Sequence, residues 1–121
     1  MFKYVNLNPD GLEIEDCVCR AISLASGLQY TDVRDKLWLT SKLFECEELT
    51  VCCYSNLLDK VLEYPSVDCR GLTVAEFAQR HPKGIYLVRM DMHITCIVDG
   101  VINDIWDCGE RIATHAWFCS Y

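Results

Sequence analysis

His93-Ile94-Thr95-Cys96-Ile97-Val98-Asp99-Gly100-Val101-Ile102-Asn103-Asp104-Ile105-Trp106 is the stretch on which the fold turns. Two runs rich in β-branched residues flank Asp99-Gly100, a dipeptide suited to a two-residue type I′ turn because both central residues need positive φ. Closing that turn sets Val98 opposite Val101, so Thr95 faces Asp104 and His93 faces Trp106. Side chains alternate along a strand, which puts His93, Thr95, Asp104 and Trp106 on one face. Asp104 is then the diagonal neighbour of His93, within reach of its ring, while Asp107 falls on the opposite face.

Working outward, Ile85 to Met90 reads as a strand before this hairpin. Ile112 to Phe118 reads as one after it, beyond the turn Asp107-Cys108-Gly109-Glu110. The earlier part of the chain has the helical period. Asp16 is placed to cap a helix from Cys17 to Ser26, with Val18, Ala21, Ile22 and Ala25 on one side and Gly27 as its stop. Thr31 caps a second helix to about Leu43. A third run, about Thr50 to Glu63, ends at Tyr64-Pro65, and Thr73-Val74-Ala75-Glu76 has the spacing of a capping box that opens a short helix. Asn8-Pro9-Asp10-Gly11 marks a turn. The expectation is a single α+β domain over residues 1–121, with N-terminal helices packed on a C-terminal antiparallel β-sheet.

Composition agrees with one packed core: 121 residues, 51% hydrophobic and 24% charged. A formal net charge of -7 with eleven scattered basic residues argues against a nucleic-acid partner. No apolar run reaches the ~18–20 residues of a membrane span, and Met1-Phe2-Lys3-Tyr4-Val5-Asn6 has no secretory h-region, so no membrane association and a cytoplasmic location are expected. The nine cysteines are odd in number and lie mostly in periodic apolar segments, where a reduced thiol packs as a small hydrophobe. Structural zinc needs paired knuckles, and neither Cys17 with Cys19 nor Cys46, Cys52, Cys53 and Cys69 supplies them; no metal and no cofactor are expected.

Among these thiols Cys17 stands apart, because a helix N-terminus stabilises a thiolate through free N–H groups and the helix dipole. Taken alone it would be read as core, like its neighbour Cys19. A nucleophile also needs a base. Of the three histidines only His93 sits in a strand beside a carboxylate; His81 adjoins Pro82 at a helix end, and His115 reads as a structural residue of the last strand. Cys17, His93 and Asp104 therefore form the candidate catalytic set, with the sulfur, the ring and the carboxylate expected in one connected chain. Trp106, on the His93 face, is the candidate substrate-binding aromatic.

The run Asp16-Cys17-Val18-Cys19-Arg20-Ala21-Ile22, the later His93 strand and the adjoining Asp104 strand resemble the papain-like cysteine peptidases. The Asn-Pro turn and the Asp-Cys-Val motif before the first helix are similar in particular to small peptidase C39-like and phage-borne papain-fold proteins. The resemblance implies a nucleophile helix packed on an antiparallel sheet that carries His and Asp. Cys17 would attack a carbonyl, His93 would take and return the proton, and Asp104 would hold the imidazole tautomer. Many relatives place a glutamine shortly before the cysteine, but Gly11-Leu12-Glu13-Ile14-Glu15-Asp16 has none. The oxyanion donors expected instead are the Cys17 backbone N–H and Asn8, should its loop fold back.

The reading is a cysteine hydrolase acting on an acyl bond of a peptide or protein substrate. Amidase or acyltransferase chemistry would use the same residues. A non-catalytic papain-fold binding protein, such as a phage-encoded inhibitor of a host factor, and a zinc-dependent interaction module are the alternatives from other classes. The sequence sets no oligomeric state.

Overall fold

A computed structural model describes residues 1–121. Its elements are β1 (Phe2–Tyr4), α1 (Cys17–Ser26), α2 (Tyr30–Phe44), α3 (Val51–Asn56) running into a π-helical turn (Leu57–Val61), β2 (Ser66–Val67), α4 (Val74–Arg80), β3 (Ile85–Met90), β4 (His93–Val98), β5 (Val101–Asp104) and β6 (His115–Ser120). The strands form one open sheet in the order β1-β5-β4-β3-β6-β2. The chain is thus a mixed α+β domain with helices packed against a non-barrel sheet.

Alternation along the central strands divides the core in two. Leu87 of β3 with Ile94 and Cys96 of β4 point toward α1, α2 and α3, where they meet Val18, Ile22, Val33, Leu37, Leu57 and Leu58. Val88 and Met90 with Ile97 and Ile102 point the other way, toward Val74, Phe77 and Ala78 of α4. The sheet is covered on both sides, which is why its middle strands read as nearly continuous apolar runs.

Several local readings hold to the residue. Helix α1 spans Cys17–Ser26 and stops at Gly27 with φ 76°, the left-handed conformation glycine adopts without a Cβ clash. Thr73 and Glu76 form both bonds of a capping box. The β4–β5 hairpin turns on Asp99 (φ 48°) and Gly100 (φ 77°) and pairs Val98 with Val101. A Cβ at Gly100 would also lie 3.3 Å from Ala78 O and from Pro82 Cα. Gly100→Ala should therefore cost about 1–2 kcal/mol, read as a lowered denaturant midpoint at unchanged slope.

Other readings need correction. The sheet is not confined to the C-terminus nor wholly antiparallel: β1, from the start of the chain, pairs in parallel with β5, and the two-residue β2 extends the far edge. Helix α2 begins at Tyr30, one residue ahead of Thr31, with Gln29 before it. The third helical run ends earlier than Glu63 and changes to a π turn at Leu57. Strand β5 stops at Asp104 rather than Trp106, because the Asp104 carboxylate accepts the Ile105 N–H at 2.7 Å and bends the chain away. The last strand starts at His115, not Ile112, which makes only an isolated bridge with Thr73.

Candidate active site

The hairpin register carries His93 and Asp104 to the same face. Nε2 of His93 lies 2.6 Å from Asp104 Oδ2, and both side chains are almost wholly enclosed. By strand parity this is the face covered by α4, whereas Cys17 belongs to the helix on the other face. The two meet because His93 is the first residue of β4 and Cys17 the first of α1. Both elements begin at one end of the sheet, where Cys17 and His93 line the same two hollows. With Nε2 held by Asp104, Nδ1 is the ring nitrogen left for Cys17.

Electrostatics separate Cys17 from the other thiols. Burial works against its ionisation, but the His93 imidazole, the Ile94 backbone N–H and the charge of Arg20 outweigh burial and hold its pKa below the ordinary thiol value. Burial pushes the thiols of Cys19 (to about 11), Cys53 and Cys119 (both to about 12) and Cys69 the other way. No side chain caps the backbone N–H groups at the start of α1. Burial alone would lower the pKa of His93, yet Asp104, Cys108 and Cys17 reverse this and raise it to about 11. Burial would raise the pKa of Asp104, and His93 with the Ile105 N–H brings it below the usual carboxylate range. Thr95 Oγ1 sits nearby on the same face, but no partner meets it in hydrogen-bonding geometry, so we assign it no share of that depression.

Two residues to which the sequence reading assigns no role in the site complete the surroundings. Arg20, buried on α1, donates from Nε to Asp16 Oδ1 at 2.6 Å and from a terminal nitrogen to Asp104 Oδ1 at 3.1 Å. Its pairing with Asp16 has the i,i+4 spacing of helical ion pairs and was legible in that respect; its reach to Asp104, 84 residues away, was not. Cys108, also buried, places Sγ 3.9 Å from Asp104 Oδ2. Ligand atoms of His93, Asp104 and Cys108 all lie within 4.8 Å of one another, so this buried cluster can either hold a metal ion or act as a catalytic-type site. Nothing in the spacing Asp104-x₃-Cys108 marked one cysteine out of nine.

Asp16 precedes α1 but does not cap it with its side chain. Its carboxylate is engaged by Arg20, by Asn8 Nδ2 at 2.9 Å and by Tyr30 Oη at 2.7 Å. That arrangement offsets its charge with the guanidinium of Arg20. It also occupies Asn8, the expected second oxyanion donor: Asn8 is buried behind Asp16, its Oδ1 accepts from the Asp10 N–H at 2.9 Å, and it does not line the groove that holds Cys17. Trp106 does line that groove, with its ring centroid 4.8 Å from that of His93.

The chain matches no family model, no curated protein and no solved structure. Its chemistry is therefore read from the groove itself. Two hollows of about 340 and 510 Å³ meet at Cys17 and His93. The smaller is walled by Leu49, Val51, Tyr54 and Met90, the larger by Ile14, Glu15 and Trp106. Together they leave the sulfur at the junction of an open, largely apolar cleft, of a size that accepts several side chains. No helix is long and apolar enough to cross a membrane.

Proposed function

We propose that this chain is a papain-like cysteine hydrolase that acts on an acyl bond of a peptide or protein substrate, with Cys17, His93 and Asp104 as its catalytic set. The observation that carries this reading is the line from Cys17, at a helix N-terminus in an open cleft, through His93 to a buried Asp104. The lowered thiol and raised imidazole favour a thiolate–imidazolium pair at rest. The thiolate adds to the substrate carbonyl carbon, and the Cys17 backbone N–H faces the developing oxyanion. His93 then gives its proton to the leaving amine as the carbon–nitrogen bond breaks, which leaves a thioester on Cys17. Water adds to that thioester as His93 takes a proton from it, and the acid product departs with the thiolate restored. Asp104 keeps Nε2 protonated throughout, so that Nδ1 serves both transfers.

Intact mass after brief exposure to a cysteine-directed electrophile near neutral pH tests this. One fast adduct, mapped to Cys17 ahead of the exposed Cys52, is the expected result. Uniformly slow labelling would favour the non-catalytic binding protein instead.

Metal binding at His93, Asp104 and Cys108 is the second reading, favoured by their proximity. Against it, the Asp104 oxygens are already turned to His93 Nε2 and to the guanidinium of Arg20, and a second cation there would meet Arg20's charge directly. We expect zinc titration to leave the melting temperature unchanged; a rise of several degrees that Cys108→Ala abolishes would install the metal reading.

A further inference from the structure

We infer that Arg20 is a positioning residue for the proposed site: by bridging Asp16 and Asp104 it fixes the Asp104 carboxylate with one oxygen toward His93. This rests on the cysteine-hydrolase reading above and adds to it a residue whose side-chain hydrogen bonds go to Asp16 and Asp104.

The geometry is that of a braced fork. Asp104 Oδ1 accepts from Arg20 and from the Ile105 N–H, which leaves Oδ2 directed at His93. Arg20 cannot swing away, because Asp16 holds its Nε, and Asp16 is in turn fixed by Asn8 from the N-terminal loop and by Tyr30 from α2. Three parts of the chain, the N-terminal loop, α1 and α2, thus meet at Asp16, and Arg20 carries that anchorage on to Asp104. A guanidinium can span two carboxylates in a fixed plane; a lysine ammonium at the same place can supply the charge but not the fork. The buried charges nearly balance, with Arg20 and a protonated His93 against Asp16 and Asp104.

The other titratable groups around this line are few. Cys108 lies beneath Asp104, and Cys17 lies at the far side of His93. Glu13 and Glu15 border one lobe of the cleft and Asp91 the other, all three exposed to solvent. Tyr54 stands behind the sulfur. None of these contacts the Asp104 oxygens except Cys108, so the orientation of the carboxylate falls to Arg20 and Ile105.

The test compares the wild type with Arg20→Lys and Asp16→Asn, each first shown to melt cooperatively. Two readouts follow: the pH profile of Cys17 alkylation by iodoacetamide, and the titration of the His93 ring nitrogens by NMR. Arg20→Lys should slow alkylation at pH 6 on the order of tenfold, with the profile displaced upward, and should move the His93 titration, because charge without the fork does not hold Asp104. Asp16→Asn, which frees the other end of the guanidinium, should give a smaller displacement in the same direction and serves alone if Arg20→Lys does not fold. Folded variants with wild-type alkylation and His93 profiles would overturn the inference and make Arg20 merely structural. A wild-type Cys17 no more reactive than Cys52, together with a His93 titration that still moves in Arg20→Lys, would overturn the hydrolase reading and keep only the hold of Arg20 on the Asp104–His93 pair.

Discussion

His93→Ala should slow alkylation of Cys17 at pH 6 on the order of tenfold to a hundredfold while leaving Cys52 unchanged. The size follows from two opposed effects. An ordinary thiol with a pKa of ~8.5 is only about 0.3% ionised at pH 6, so a thiolate stabilised by an imidazolium and a helix N-terminus gains up to a few hundredfold in population. A more stable thiolate is also a weaker nucleophile, with a Brønsted coefficient of ~0.4–0.5, which takes back roughly an order of magnitude. Removing His93 deletes the largest of the groups that favour the Cys17 thiolate; the Ile94 N–H, Arg20 and the helix remain, so the loss stops short of complete. Hydrolysis should fall further than alkylation does, by about 10²–10⁴-fold, because the leaving amine also loses its proton donor. Equal alkylation profiles for the wild type and His93→Ala would remove the case for an activated cysteine.

The reason His93 could be singled out in advance is local. The Asp99-Gly100 turn fixes the hairpin register, and register fixes which residues share a face, so the approach of His93 to Asp104 was contained in fourteen consecutive residues. Helix α1 was legible for a similar reason: its apolar spacing and Gly27 lie within eleven residues of each other. What could not be read depends on distant partners. Strand β1 is three exposed residues whose only sheet partner is β5, about a hundred positions later. Asp16 has every local mark of a helix cap, and the competition was won by Arg20, Asn8 and Tyr30, partners that a helix-capping rule does not weigh. The same competition removed Asn8 from the cleft, since a buried amide beside a carboxylate gains more from that bond than from facing solvent.

Asp104→Ala is expected to have the largest effect on stability, about 3–5 kcal/mol, measured by denaturant unfolding at pH 7. The substitution leaves His93 without the carboxylate that raises its pKa and takes from Arg20 one of its two buried partners. Asp104→Asn keeps the shape and an oxygen for Arg20, so it should cost clearly less. The pH dependence gives a second check. Asp104 and Asp16 have lowered pKa values, so their contribution is present above the unfolded value of ~3.9 and is lost as pH falls through the folded values. His93 is raised, so its contribution is complete below ~6.5 and is lost as pH climbs toward about 11. Cys17 is lowered and has the opposite slope, gaining stability up to ~8.5. Between ~6.5 and ~8.5 these two slopes oppose each other, because over that range the raised His93 loses stability as pH rises while the lowered Cys17 gains it. The wild type should accordingly decline less steeply over that range than above it. Cys17→Ser removes the opposing slope, so its decline from about pH 6.5 should be steeper, and Asp104→Ala should weaken the alkaline decline to the part carried by the buried thiols with raised pKa values. A wild-type curve that falls steadily from pH 6.5, indistinguishable from that of Cys17→Ser, would mean that Cys17 carries no thiolate at neutral pH.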